Sequence, residues 1–213
     1  MTEILKKYKH ALLALYIFIY LPLFFLLEKT IVEFTSLNTP VDNAIPFIDI
    51  FILPYFAWFF YVVAFCAYFI LVSQREFVKL MTALIIGMSS YLIICYIFPN
   101  GLTDFRPESL SDSIFSTMAS GLYAVDTSTN VFPSIHVYNS IIVHIAVHLT
   151  DKIKHKWIKN SSLILCILIC LSTIFLKQHA LIDVFGGIVM AVIVYKIVYK
   201  GKFADFIDRK TWA

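Results

Sequence analysis

Two histidines and a carboxylate stand where side chains could do chemistry. His179 precedes Asp183 by four residues. If a helix starts near His179, Asp183 sits one turn further on the same face. The carboxylate can then accept from one imidazole nitrogen. The other nitrogen is left unprotonated, oriented and more basic, which suits a nucleophile. The alternative is a buried His–Asp pair that holds two helices together.

Pro133-Ser134-Ile135-His136 is the second cluster. Proline suits the first position of a helix, where its missing N–H costs nothing. The unpaired N–H groups that follow lie at the positive end of the helix dipole and form a cradle for an anion. Ser134 can add a hydroxyl donor, the backbone at Ile135 an N–H, and His136 a proton. The plainer alternative is a capped helix start with an incidental histidine. Arg106-Pro107 is the third cluster. Arginine grips a phosphate better than any other single side chain, although Arg106 could instead pair with Asp104 or Glu108.

Composition says what must position these residues. The chain has 213 residues, 60% hydrophobic and only 15% charged, with a mean hydropathy of +0.83. A soluble domain of this length needs a polar exterior, so the apolar excess must face lipid. That excludes a soluble globular enzyme, a secreted disulfide scaffold and a disordered regulator. The net charge of +3 is too small to suggest a nucleic-acid partner. Cys66, Cys95, Cys166 and Cys170 lie in apolar stretches and read as small buried hydrophobes. No spacing resembles a zinc site, and no metal or other cofactor is expected.

A bilayer core of about 30 Å takes about 20 apolar residues as helix. Ala11–Leu27, Phe51–Val72, Leu80–Phe98, Pro133–Leu149, Ser161–Leu176 and Ala180–Tyr199 qualify or nearly so. The expected fold is therefore all-α: a polytopic membrane protein with six transmembrane helices in one bundle, one domain over residues 1–213. Pro133–Leu149 is short and carries His144 and His148, tolerable if neighbouring helices shield it. Those two histidines read as partners in interhelical hydrogen bonds. The first span follows Lys6, Lys7 and Lys9 and lacks a small-residue cleavage site, so it reads as an uncleaved anchor. With the N-terminus inside, only Lys29, Arg106 and Lys177 of the 17 Lys and Arg residues fall on the outer side. This predicts cytoplasmic termini and places all three chemical clusters at the extracytoplasmic face. The outer segment Pro99–Phe132 is rich in turn and cap residues and does not read as a span.

These clusters, in this order, resemble the type 2 phosphatidic acid phosphatase superfamily, whose pattern is KxxxxxxRP, then PSGH, then SRxxxxxHxxxD. The motif-bearing segments are residues 99–136 and 172–183. Arg106-Pro107, Pro133-Ser134-Ile135-His136, and Ser172 followed by His179 and Asp183 match. Pro99, Ile135 and Thr173 stand where the pattern has lysine, glycine and arginine. The forms FPSIH and STIFLKQHALIDV, with Asp42, Pro46, Tyr55, Trp58, Tyr123, Asp126 and Asn130, look like the branch that includes inositol phosphorylceramide synthase.

The resemblance implies a metal-free mechanism on a lipid phosphate or polyprenyl diphosphate. His179 would attack phosphorus and become a phosphohistidine, Asp183 would orient it, and His136 would protonate the leaving oxygen and then activate water. Arg106, Ser134, Ile135, Lys177 and Asn130 would bind the substrate. A transferase that moves a phosphorylated head group to an alcohol acceptor shares the first step, and an inactive lipid-binding homologue is the third alternative. The partners implied are the lipid phosphate and the surrounding membrane lipids; the oligomeric state stays open. On a continuous helix Lys177 would lie on the face of Thr173, about 6 Å nearer the outer end, and could supply the missing cation; the alternative is a lysine snorkelling to the headgroups.

Overall fold

The computed structural model describes residues 8–30 and 33–209. Lys6, Lys7 and Lys210, which count toward the inner-side charge, lie outside the described residues. A 3-10 segment, Lys9–Tyr16, leads into α1 (Ile17–Thr30). Then come β1 (Thr35–Ser36), the short α2 (Pro40–Ala44), α3 (Ile52–Val72), α4 (Gln74–Ile97) and β2 (Asn100–Gly101). The chain continues through α5 (Ile114–Val125), α6 (Ile135–Leu149), α7 (Lys156–Phe175) and α8 (Leu181–Tyr195). A π-helical turn, Lys196–Lys200, extends α8 before α9 (Lys202–Arg209).

Among the described residues five helical stretches are long and apolar enough to cross a membrane: Lys9–Thr30, Asp49–Val72, Gln74–Ile97, Lys156–Phe175 and Leu181–Lys200. The expected span at Pro133–Leu149 is the 15-residue α6, short of the length a bilayer core requires. Its position explains its composition. It packs against α3, α4, α7 and α8 at once, so its polar groups meet protein and not lipid. His144 Nδ1 lies 3.1 Å from Ser162 Oγ on α7, and Tyr61 on α3 reaches the same hydroxyl at 2.6 Å. The Tyr138 hydroxyl donates to the Ala83 carbonyl of α4 at 2.6 Å. That contact needs Gly87, because a Cβ there would lie 2.0 Å from the Tyr138 ring.

The outward faces carry the apolar excess. Phe18 on α1, Phe60 and Leu71 on α3 and Ile164 on α7 are exposed, although each is a large hydrophobe. The four cysteines are free thiols.

One end of the bundle is closed by the two long connections. β1 and β2 pair in parallel, with Thr35 opposite Asn100 and Ser36 opposite Gly101. Asn100 then binds the segment that leads into α6: its carbonyl accepts from Asn130 N–H at 2.7 Å and its side-chain oxygen from Phe132 N–H at 2.8 Å. The segment Pro99–Phe132, rich in turn and cap residues and not expected to span, contains the 12-residue α5. Ser113 caps it by accepting from Ser116 N–H at 3.0 Å, and the helix buries Ala119 and Ser116. At the opposite end Asp208 of α9 binds Lys79 Nζ at 2.5 Å and Arg75 Nε at 2.7 Å on α4.

Candidate active site

α6 and α8 begin side by side, and both starts differ from the sequence expectation. Pro133 is not the first helical residue. Ser134 is the N-cap, its hydroxyl accepting from Val137 N–H at 3.4 Å, and Ile135 begins the helix. Ser134 N–H donates to the Asp183 carbonyl at 2.9 Å. The close approach depends on Gly187, where a Cβ would stand 2.7 Å from the Ser134 carbonyl oxygen. α8 begins at Leu181, two residues after His179. Asp183 is fully buried, and its Oδ2 accepts from Ala180 N–H at 2.8 Å, capping the helix it belongs to. His179 Nδ1 lies 3.5 Å from the same oxygen, without a hydrogen bond.

The two expected reactive imidazoles come together. The rings of His136 and His179 have centroids 5.7 Å apart at 60°. His136 is held from behind by two rings of α3, Tyr55 at 4.6 Å and Trp58 at 4.3 Å. Both histidines line a cavity of about 230 Å³. Tyr20, Leu21, Phe24 and Phe25 of α1 form one apolar wall, and Asp126, Thr127, Thr129 and Asn130 form a polar rim. Glu28 at the end of α1 secures that rim: it accepts from Asn130 Nδ2 at 3.0 Å and from the hydroxyls of Thr127 and Thr129. Asn130 itself has a positive φ of 55°. Its carbonyl accepts from the Tyr91 hydroxyl at 2.6 Å.

The expected phosphate-binding cations are elsewhere. Arg106 does not line this cavity. Its Nη1 donates to the Tyr123 carbonyl at 3.2 Å, and Nη2 to the Asp126 carbonyl and to Gln178 Oε1, both at 2.6 Å. The guanidinium also lies over the Tyr123 ring at 4.3 Å. Burial lowers its pKa from the ordinary arginine value.

Lys177 is also outside the cavity, and the continuous helix that would have carried it there does not exist. α7 ends at Phe175; Lys177 takes φ 53°, and its N–H donates to the Ile174 carbonyl at 3.0 Å. A left-handed residue just past a helix end reverses the chain. Gln178 and His179 N–H both return to the Thr173 carbonyl at 3.0 Å. The reversal turns the Lys177 side chain toward α2, where Nζ donates to the Asp42 carbonyl at 2.7 Å and lies 4.5 Å from the centre of the Phe105 ring. Burial lowers the lysine pKa, and the Asp42 charge opposes that shift. Asp42 completes the contact from the other side: Oδ1 accepts from Leu181 N–H at 2.7 Å, and Oδ2 from Thr39 N–H at 2.8 Å.

Of the predicted site residues, His136, His179, Ile135 and Asn130 line the cavity. Asp183 supports it from within, Ser134 caps α6, and Arg106 and Lys177 line a separate cavity together with Asn43 and Phe105. Sequence reasoning did not single out Gln178, which lines the cavity beside His179. Its signal was adjacency to the histidine alone.

The fold and the site define a class: a helical protein of membrane type with two imidazoles and a buried carboxylate at one end of its bundle. The PAP2 superfamily model matches residues 76–206, and the chain belongs to that superfamily. Its members are usually phosphatases. No match to the chain was found among curated proteins or solved structures.

Proposed function

We propose that this protein is an integral-membrane phosphatase that hydrolyses a lipid phosphate or polyprenyl diphosphate through a phosphohistidine. The observation that carries the reading is the placement of His136 and His179, 5.7 Å apart across one cavity, with Asp183 beneath His179.

The chemistry follows from that placement. Nδ1 of His179 faces Asp183, so Nε2 is the nucleophile. It bonds to phosphorus as the P–O bond to the leaving group breaks, and the proton of His136 passes to that oxygen. The positive charge that grows on His179 is met by Asp183. The 3.5 Å gap between them closes on substrate binding, as catalytic contacts commonly tighten in the complex. In the second half His136 takes a proton from water, the hydroxide displaces His179 from phosphorus, and inorganic phosphate leaves. No step is routed through a metal ion. The lipid tail lies along the apolar wall of α1, and α6 serves as the sixth span, shielded by its neighbours. The distribution of basic residues supports an extracytoplasmic cavity in the cell membrane, with cytoplasmic termini.

The test is turnover by purified protein in detergent. Phosphatidate and a polyprenyl diphosphate are offered separately, with and without an alcohol acceptor. Release of inorganic phosphate without acceptor supports the phosphatase. Product formed only with acceptor assigns the chain to the phosphotransferase alternative. No product in either arm, from protein that is folded, overturns both.

A further inference from the structure

Gln178 is 3% exposed and lines the cavity next to His179. Its Oε1 accepts from Arg106 Nη2 at 2.6 Å, and its Nε2 has no hydrogen-bond partner. The orientation of the amide is settled by chemistry. A guanidinium has only donors, so the amide must turn its oxygen to Arg106 and present its NH2 on the other side. A buried NH2 without a partner is costly, by about 1–3 kcal/mol. Other orphans sit beside it: His136 Nδ1, His179 Nδ1 and Asn130 Oδ1 are buried and unpartnered too. All four residues line one cavity, and of these atoms the Gln178 NH2 is the fixed donor, since His179 Nδ1 faces Asp183; the ligand expected there is an anion rich in acceptor oxygens.

Arg106 does not line this cavity: Nη2 is spent on the Asp126 carbonyl and Gln178 Oε1, Nη1 donates to the Tyr123 carbonyl, and Nε is buried without a partner. We propose that Gln178 donates directly to the phosphoryl oxygens held at His179, and that Arg106 is a positioning residue that fixes and polarises the Gln178 amide. A donor whose acceptor end is bonded to a cation is a stronger donor, because hydrogen bonds in a chain polarise one another. The pair thereby stands in for the cations missing at Pro99 and Thr173. The assignment rests on the reading of His179 as the phosphoryl-accepting nucleophile.

The probe is orthovanadate, a phosphoryl analogue whose recognition does not depend on the lipid tail. Its binding to the detergent-purified protein is measured by calorimetry, beside turnover of phosphatidate. Gln178→Met removes the donor and adds no charge. Gln178→Glu keeps an oxygen on Arg106 but turns a second acceptor toward the anion. Each should weaken vanadate binding and lower kcat by about a hundredfold, the effect of losing one transition-state donor, while thermal unfolding stays within a few degrees of the parent protein. Arg106→Ala should weaken vanadate binding as well. The double variant Arg106→Ala with Gln178→Met should be no worse than the worse single one, because the two act as one unit. If the Gln178 variants bind vanadate within about threefold of the parent, or if the double variant is additive, Gln178 is not the donor and the proposal is overturned. If the parent protein itself binds no vanadate and turns over no lipid phosphate, the reading of the whole site fails, and this assignment fails with it.

Discussion

The imidazoles of His136 and His179 come from the N-terminal ends of two adjacent segments and meet at 5.7 Å with their planes at 60°. A phosphorus atom between them would have a nucleophile on one side and an acid on the other. The two roles are separable by substitution. His179→Ala should form no phosphoenzyme with any substrate. His136→Ala should lose turnover with an alkoxide leaving group yet still become phosphorylated by a substrate with a weakly basic leaving oxygen, which needs little protonation. Radiolabel retained by each protein after an acid-free quench measures this. A labelled His179→Ala protein would place the nucleophile elsewhere. Chelators should leave the parent rate unchanged; a loss reversed by a divalent ion would point to metal chemistry instead.

Lys177 and Asp42 give a different expectation. Lys177 Nζ binds the Asp42 carbonyl, and the Asp42 carboxylate binds the first N–H of α8. The two residues clamp the turn that carries His179. Lys177→Ala should therefore lower thermal stability, and turnover should fall because His179 is less well placed. Breaking a charge-assisted hydrogen bond in a buried setting costs about 1.5–3 kcal/mol. Vanadate affinity should fall by the same factor in Lys177→Ala and Asp42→Ala, as both loosen one turn. A Lys177→Ala protein with unchanged unfolding temperature but abolished vanadate binding would mean that the lysine touches the phosphoryl group directly.

The sequence exposed the candidate site residues more fully than the elements that hold them. His136, His179 and Asp183 were legible because ionisable groups among apolar residues stand out, and family motifs fixed their order. The helices were legible from apolar length, and the brevity of α6 fitted its shielded position. Lys177 was misplaced because nothing marks the end of α7 at Phe175. A helix stop is read from glycine or proline, and here a lysine takes the left-handed position instead. Its conformation is secured by carbonyls of residues 42 and 43, far away in sequence. The setting of Arg106 was not legible for a similar reason: its partners Tyr123, Asp126 and Gln178 are brought to it only by the fold. α5 was not legible because serines and threonines that read as turn residues sit on and beside a short apolar helix of 12 residues.

The orientation of the bundle is open to labelling. The charge distribution predicts that Ser111 lies outside and Lys156 inside. A cysteine introduced at Ser111, in a protein whose four native cysteines are replaced, should react with an impermeant maleimide on intact cells. One at Lys156 should react only after permeabilisation. The reverse pattern would put the cavity on the cytoplasmic side and redirect the substrate search to that leaflet.

Asp42 ties stability to pH, and the sign can be worked out. Burial raises its pKa, but hydrogen bonds from Leu181 N–H and from Thr39, together with the Lys177 charge, more than offset this and hold it below the ordinary value of 3.8. A carboxylate whose folded pKa is depressed adds stability above its unfolded pKa, and that contribution disappears as pH falls through the folded one. The window therefore lies below about pH 4. Asp208, lowered to about 2 chiefly by its hydrogen bond to Arg75 and also by Lys79, acts in the same direction at the other end of the bundle. The two are separated by substitution. Asp42→Asn should flatten the fall of the unfolding temperature below about pH 4 and carry His179 reactivity with it, because the turn above α8 is what loosens. Asp208→Asn should flatten the fall of the unfolding temperature alone and leave vanadate affinity independent of the change, since α9 touches neither the cavity nor the turn. If Asp42→Asn left the acid profile of vanadate binding identical to the parent, the coupling between this carboxylate and the placement of His179 would be refuted.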